Sequence, residues 1–233
     1  MEVTALVPCY NEEKTIGNVL KVLTTSPELD KVIVVNDCST DHSVAVIKQF
    51  QVQLISNRKN LGKGESVKKA LRYVNTKFIM LCDADLSGLR HDHITTLLKP
   101  LRHNPNLMTV GLRDKGWHFS NKLIKHNLMI LLLSGERAIR TKCLKCACAD
   151  PRSAKFGLEV VINFYCRRNG VRIVKVDLAG VRDISKLHKH GKSLLPWVKE
   201  TINIADTYTR LYLEDAAGTA EKLKNEQRIR RVR

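Results

Sequence analysis

Oily and polar positions follow a regular order along the first hundred residues. Four short, β-rich runs, VTALVPC (3–9), KVIVVND (31–37), VQLIS (52–56) and KFIMLC (77–82), are each followed by a stretch with helical spacing. The first helical stripe carries Ile16, Val19, Leu20 and Leu23, and the second Val44, Ile47 and Phe50. The third carries Val67, Ala70, Leu71 and Val74, and the fourth Ile94, Leu97, Leu98 and Leu101. Strand and helix thus alternate four times. Parallel neighbours need a crossover, and the crossover has a fixed hand, so the pattern predicts an α/β fold: a mainly parallel, Rossmann-like sheet with helices on both faces. No internal repeat is visible.

With 233 residues the chain is of a size for one domain with a sizeable core. Its 43% hydrophobic content is that of an ordered globular protein. MEVTALVPCY turns polar at Asn11 without a basic leader, so a secretory signal is not expected. The longest later oily stretch, LMILLL at 128–133, falls far short of the roughly 20 residues a membrane span needs. Seven scattered cysteines in a chain that needs no staples point to a reducing, cytoplasmic setting. Cys143, Cys146 and Cys148 resemble part of a zinc site but lack a fourth ligand at good spacing. His91, His93, His103, His118 and His126 stand alone among polar neighbours, and a surface position is expected for each.

The formal charge of +17 changes the picture of partners, not of fold. Nucleic acid, an anionic membrane surface or an acidic small substrate would each suit it. The tail KLKNEQRIRRVR (222–233) holds six basic residues and one acidic residue, with no interleaved aromatics to stack bases.

In sheets of this kind ligands bind beyond the carboxyl ends of the strands. The polar motifs fall there: PCYNEE after strand one, NDCSTD after strand two, NRKNLGKGE after strand three and CDADLSG at strand four. Each admits a structural reading. Asn11, Glu12 and Glu13 could cap the first helix, and Asp37 and Asp41 the second. The glycines of NLGKGE could supply a turn with backbone N–H groups suited to phosphate. Asp83 and Asp85 could cap the helix near His91, but two neighbouring carboxylates repel unless they share a cation. Mg²⁺ or Mn²⁺, which take one or two carboxylates plus phosphate oxygens, fit that pair better.

VPCYNEEKTIGNVL, VIVVNDCSTDHS, NLGKGESVKKAL and MLCDADLSGL, in that order, resemble the nucleotide-sugar half of a family 2 glycosyltransferase with the GT-A fold. The resemblance implies transfer of a sugar from a UDP- or GDP-sugar to an anionic acceptor with the help of Mg²⁺ or Mn²⁺. It implies that Pro8, Tyr10, Asn11 and Glu12 line the nucleoside pocket and that Asp37 faces the base. Gly62 and Lys63 would lie near the phosphates. Asp83, with Ala84, would address ribose or sugar hydroxyls, and Asp85, aided by Asp83, would hold the metal.

The second half carries SGERAIR (134–140) and KFGLEVVINFYCRRNG (155–170), which resemble acceptor-side segments of the family. Glu159 opens an amphipathic helix there and is the candidate general base, or else a hydroxyl-binding residue or simply a favourable charge at the helix start. A late metal ligand of the family pattern would be Asp183 or His188 in LAGVRDISKLHKHG (178–191), a stretch that also reads as a surface cluster of basic residues. Arg137, Arg140, Lys142, Lys186, Lys189 and Lys192 suit an anionic acceptor. GKGE, FGLEV and GVR resemble glucosyl-3-phosphoglycerate synthases, with a soluble acid as acceptor; DADL and the SKL stretch resemble dolichyl-phosphate sugar transferases, with a lipid phosphate. The segment 193–213 has an apolar stripe compatible with core packing, or with peripheral contact at the inner face of a membrane. The expected layout is one GT-A domain over 1–215, with a nucleotide-sugar half (1–112) and an acceptor half (113–215), then a basic tail (216–233); a homodimer is a further expectation.

Rival classes fit less well. A nucleotidyltransferase of related topology would carry a Gly-rich, Arg-containing loop where PCYNEE stands, and a dinucleotide-dependent dehydrogenase would carry GxGxxG. A basic nucleotide- or nucleic-acid-binding protein without transferase activity accounts for the charge but leaves four strand-end motifs without a task.

Overall fold

The computed structural model describes residues 1–114, 134–154, 157–184, 202 and 205–217. The chain divides into two compact units, Met1–Lys192 and Ser193–Arg233. The first holds the sheet. Its strands are β1 (Val3–Cys9), β2 (Lys31–Asn36), β3 (Gln53–Ser56), β4 (Phe78–Leu81), β5 (Leu86–Ser87), β6 (Leu107–Arg113), β7 (Arg137–Arg140), β8 (Arg172–Leu178) and β9 (Arg182–Asp183). Seven of them form one sheet in the order β3-β2-β1-β4-β7-β6-β8, and β5 pairs with β9 separately. β1 runs parallel to both β2 and β4, β2 parallel to β3, and β6 parallel to β8. β7 is antiparallel to both its neighbours, β4 and β6. The sheet is therefore mainly parallel, as the alternation predicts, with one reversed strand inserted near its middle.

The helices are α1 (Ile16–Thr24), α2 (Ser43–Ile47), α3 (Lys63–Ala70), α4 (His91–His103), α5 (Thr141–Ala147) and α6 (Leu158–Arg168). Alternation along β1 sends Val3, Ala5 and Val7 to one face, where they meet the α1 stripe of Ile16, Val19, Leu20 and Leu23 and the α4 stripe of Ile94, Leu97, Leu98 and Leu101. Leu6, Ile33, Val35, Ile79 and Leu81 point to the other face and pack with Val67 and Ala70 of α3, Leu144 of α5, and Leu158 and Ile162 of α6. Two apolar layers thus sandwich the sheet, and the carboxyl ends of β1 and β4 come to lie side by side.

The second helical stripe is shorter than its spacing predicts. α2 ends at Ile47, so Phe50 lies beyond it and is only partly buried against the core. The third stripe ends in a 3-10 turn at Leu71–Tyr73, and all four of its predicted apolar positions are buried.

Gly64 shows why NLGKGE needs its second glycine. A Cβ there would overlap the backbone carbonyl of Ser153, so α3 lies directly against the 3-10 turn at Pro151–Ser153. Because the obstacle is backbone and cannot swing away, Gly64→Ala is expected to cost about 3 kcal/mol, at the upper end of overpacking penalties. Urea unfolding with an unchanged m-value checks it.

In the second unit, residues 205–217 are helical, with Tyr208 and Tyr212 stacked at 6.2 Å between ring centroids. Among the described residues no helix is long and apolar enough to cross a membrane.

Candidate active site

Two loops at the carboxyl edge are laced together. Asn11 N–H donates to Ser39 Oγ at 3.0 Å, and Thr40 N–H donates to Asn11 Oδ1 at 2.8 Å. Glu12 N–H donates to Ser43 Oγ, Glu13 N–H to Asp41 Oδ2, and His42 N–H to Glu13 Oε2. Asn11 takes a φ of 54° for this purpose, a conformation that asparagine tolerates better than most residues. The capping expectation for Asn11 is thereby corrected: α1 starts at Ile16, no side chain caps it and its first turn holds no acidic residue. Asp41 does serve the start of α2, accepting from both N–H and Oγ–H of Ser43. Burial raises its pKa, but the hydrogen bonds from Ser43 and Glu13 outweigh that and hold it below the usual carboxylate value. Pro8 stays within β1, paired with Val35, and Tyr10 stands exposed just past the strand end.

Asp37 does not cap α2. It is buried, and its carboxylate accepts from Asn57 Nδ2 (2.8 Å), Leu61 N–H (2.9 Å) and Gly62 N–H (2.7 Å). Gly62, at φ 86°, thus turns its N–H toward Asp37, which changes the reading of the glycine loop as a set of open phosphate donors. The strand-two carboxylate instead fixes the loop that delivers Lys63.

Lys63, the first residue of α3, is the hub. Its Nζ lies 2.6 Å from Asp83 Oδ1 and 2.6 Å from Glu159 Oε1, so residues from three distant segments meet at one ammonium. Burial would lower the lysine pKa, but Asp83 and Glu159 raise it on balance, and it stays charged. On the far side of Asp83 stands Arg113, at the end of β6, with NH1 3.5 Å from Asp83 Oδ2. Arg113 Nε pairs with Glu136 Oε2 at 3.1 Å, and NH2 lies 4.0 Å from Asp183 Oδ2. Acid and base alternate along the whole row: Glu159, Lys63, Asp83, Arg113, Glu136. Glu136 is only 1% exposed, and burial pushes its pKa up to about 7 against the pull of Arg113. Gly135 makes room for the row, since a Cβ there would overlap the Asp83 carboxylate.

Arg137 has a different place from the one its charge suggests. It is fully buried, with Nε donating to Ser134 O at 2.8 Å and NH1 donating to Asn163 Oδ1 at 2.5 Å. It joins β7 to α6, the helix that carries Glu159, and is not available to an acceptor. Arg140 is partly buried and Lys142 exposed; Lys186, Lys189 and Lys192 lie outside the described residues. Arg113 and Glu136 were missed by the sequence reading, although a charged residue closing the oily run LMTVGLR and another inside SGERAIR are a usable signal.

The β5 and β9 ladder sets Asp85 and Asp183 one register step apart. Leu86 pairs with Asp183, and Ile184 N–H donates to Asp85 O at 3.0 Å. Gly88 permits this approach, because a Cβ there would overlap Gly180 O. The turn is held by His93, whose Nδ1 accepts from Arg90 N–H at 3.1 Å while Nε2–H donates to Ala179 O at 3.1 Å. The start of α4 is thus capped by Arg90, Asp92 and His93, not by Asp83 or Asp85. His91 and His103 are exposed as expected; His93 is buried at 3%, because both ring nitrogens have partners, and His118 and His126 lie outside the described residues.

Burial pushes His93 below the usual histidine pKa of about 6.5, with Arg90 acting in the same sense against Asp92 and Asp177. The folded state therefore binds this proton more weakly than the unfolded one. Its contribution to stability is complete above about pH 6.5 and is lost as the pH falls through the unfolded pKa toward the lowered folded one. His93→Gln is expected to flatten that part of the profile, read by urea unfolding between pH 5 and 7.5.

Among the described residues no three acidic, histidine or cysteine side chains already form a metal-holding group. His188 lies outside the described residues. Asp85 and Asp183, two hard oxygen donors joined by one ladder at the strand edge, match what Mg²⁺ or Mn²⁺ takes from a protein when phosphate oxygens complete the shell. The cysteine trio is divided: Cys146 is exposed, Cys143 partly buried and Cys148 buried.

The mainly parallel sheet with its reversed strand β7 is that of the GT-A fold. The sequence profile described as glycosyl transferase family 2 matches residues 4–154, and the chain belongs to that family. A 4,4'-diaponeurosporenoate glycosyltransferase of Staphylococcus aureus is 31% identical over 100 residues, 41% of this chain and 27% of that protein. The match thus spans only about a quarter of that relative's length. Among solved structures, glucosyl-3-phosphoglycerate synthase of Mycobacterium tuberculosis in complex with phosphoglyceric acid superposes with a TM-score of 0.72 at 19% identity. That alignment covers 90% of this chain and 79% of the synthase. The same enzyme in complex with Mn²⁺, UDP-glucose and phosphoglyceric acid also gives 0.72 at 19% identity, with the same coverage.

Proposed function

We propose that this protein is a metal-dependent glycosyltransferase that moves a sugar from a nucleotide-diphosphate sugar to an anionic acceptor, a phosphorylated small acid or a polyprenyl phosphate. The observation that carries this reading is the junction of Lys63, Asp83 and Glu159 beside the Asp85 and Asp183 ladder at the carboxyl edge of the sheet. Asp85 and Asp183, aided by Asp83, would hold Mg²⁺ or Mn²⁺, which supplies charge neutralisation for a departing diphosphate. Tyr10, exposed beside Pro8, offers a ring face to the base, and Asp37 fixes the loop below it. Asp83 presents its carboxylate to ribose or sugar hydroxyls. Lys63 holds Asp83 and Glu159 in register, so that donor and acceptor groups are positioned by one ammonium. Glu159 takes the proton of an acceptor hydroxyl; a phosphate acceptor, already ionised, would need only its positioning. The solved complexes of the mycobacterial synthase with Mn²⁺, UDP-glucose and phosphoglyceric acid support a UDP-sugar and a small phosphorylated acid as the first pair to try.

The test is a screen of UDP- and GDP-sugars with Mn²⁺ or Mg²⁺, offering 3-phosphoglycerate and short polyprenyl phosphates, with product mass as the readout. A glycosylated acceptor that disappears on chelation of the metal is the expected result. No transfer or hydrolysis with any donor, together with thermal stabilisation by single-stranded RNA and none by UDP or GDP with Mn²⁺, overturns it in favour of a nucleic-acid-binding protein. A cytoplasmic site of action accords with seven free cysteines. Homodimer formation and peripheral contact with an anionic membrane, for which exposed Ile202, Tyr212 and Leu213 offer apolar area, are checked by light scattering and vesicle sedimentation.

A further inference from the structure

Arg113 is an unusual cation for a strand end. Its side chain is only 9% exposed, and burying a guanidinium is tolerable only where acids surround it. Three do so, at unequal distances. Behind it, Glu136 Oε2 holds Nε at 3.1 Å and is itself almost fully buried. In front, NH1 reaches Asp83 Oδ2 at only 3.5 Å and NH2 reaches Asp183 Oδ2 at 4.0 Å. The guanidinium is clamped at the back and loosely engaged at the front. Glu136 Oε2 also lies 3.3 Å from Ser134 Oγ, while Oε1 has no hydrogen-bond partner among the described residues, so Arg113 is the cation that this buried carboxylate holds.

We propose that Arg113, positioned by Glu136, is the resident counter-cation of the carboxylate cluster, and that a divalent cation competes with it for Asp83 and Asp183. This rests on the metal-dependent reading above and adds a residue to it. Without nucleotide, Arg113 relieves the mutual repulsion of Asp83, Asp85 and Asp183 and weakens metal uptake. When a nucleoside diphosphate arrives, its phosphates offer the guanidinium another anion, so metal and nucleotide bind cooperatively. Asp83 then exchanges a loose 3.5 Å ion pair for closer partners.

The test is Mn²⁺ affinity of the full chain, read from the free Mn²⁺ signal in electron paramagnetic resonance with and without UDP. Arg113→Gln is expected to tighten Mn²⁺ binding without UDP at least threefold and to reduce the factor by which UDP improves it. Glu136→Gln, which leaves Arg113 freer to pair with Asp83 and Asp183, is expected to weaken Mn²⁺ binding at least threefold. Arg113→Lys should restore near wild-type affinity, because it returns the charge. A purely structural role would weaken binding in both single variants, whereas competition moves them in opposite directions. Should Arg113→Gln fail to fold with Glu136 left buried and unpaired, the double variant Arg113→Gln/Glu136→Gln removes both charges and should still bind Mn²⁺ more tightly than wild type. Unchanged or weaker binding in folded Arg113→Gln or in the folded double variant, or unchanged or tighter binding in folded Glu136→Gln, overturns the inference while leaving the metal reading intact. A wild-type protein that takes up no Mn²⁺ with or without UDP overturns both.

Discussion

Asp85→Asn is expected to reduce sugar transfer by a hundredfold or more while leaving the fold intact. The amide keeps the side chain's shape and one acceptor oxygen but loses the negative charge that a hard divalent cation requires. Charge that builds on a departing diphosphate is then met by fewer preset partners, and losing one such contact costs on the order of 3 kcal/mol of transition-state stabilisation. The fold should survive, because the Asp85 contact to β9 is made by its backbone oxygen, accepting from Ile184 N–H at 3.0 Å. Two measurements check it: turnover with the best donor and acceptor pair, and Mn²⁺ affinity in the presence of UDP. Both should fall together with an unchanged melting temperature. Full turnover with unaltered metal dependence would remove Asp85 from the site.

Lys63→Met is expected to lose both activity and stability. The methionine keeps most of the aliphatic stem, so the packing of α3 is preserved and the lost ammonium is the main variable. Asp83 and Glu159, each 2.6 Å from Nζ in the native protein, are left as neighbouring carboxylates without a shared cation. Breaking a fully buried pair costs about 3–5 kcal/mol. Here the Lys63 side chain keeps 27% of its surface in contact with solvent, so about 2–3 kcal/mol is expected. A double-mutant cycle with Glu159→Gln separates charge from packing. Once Lys63 is gone, removing Glu159 relieves repulsion, so the double variant should be less destabilised than the sum of the singles by about 1 kcal/mol or more. Additive losses would mean that the three side chains do not act as a unit.

The arrangement also explains why charge is an imperfect guide to an acceptor site. Arg137 and Arg113 lie on facing antiparallel strands, both inside motifs that are otherwise oily or small. One is spent on Ser134 O and Asn163 and braces the helix of Glu159; the other faces the carboxylates. Only the depth and direction of each guanidinium separates the two roles. His93 carries the same lesson, since polar neighbours in sequence place it on the surface, whereas its ring joins the turn at Ala179 to the start of α4.

What the amino-acid order determined by itself is local and periodic. The four strand and helix pairs of the first hundred residues follow from apolar spacing, because a buried sheet face and an amphipathic helix can be built only from residues at periods of two and 3.6. The polar strand ends follow too, since there a charged group can end an oily strand and still meet loop donors, counter-charges or solvent. Tertiary structure alone decided the rest. The reversed β7 brings Glu136 and Gly135 against Asp83, α6 carries Glu159 to Lys63 across almost a hundred residues of chain, and the β5 and β9 ladder sets Asp183 beside Asp85. These meetings depend on the register and direction of segments far apart in sequence, and hydrophobic period encodes neither; long-range pairing in three dimensions supplies both.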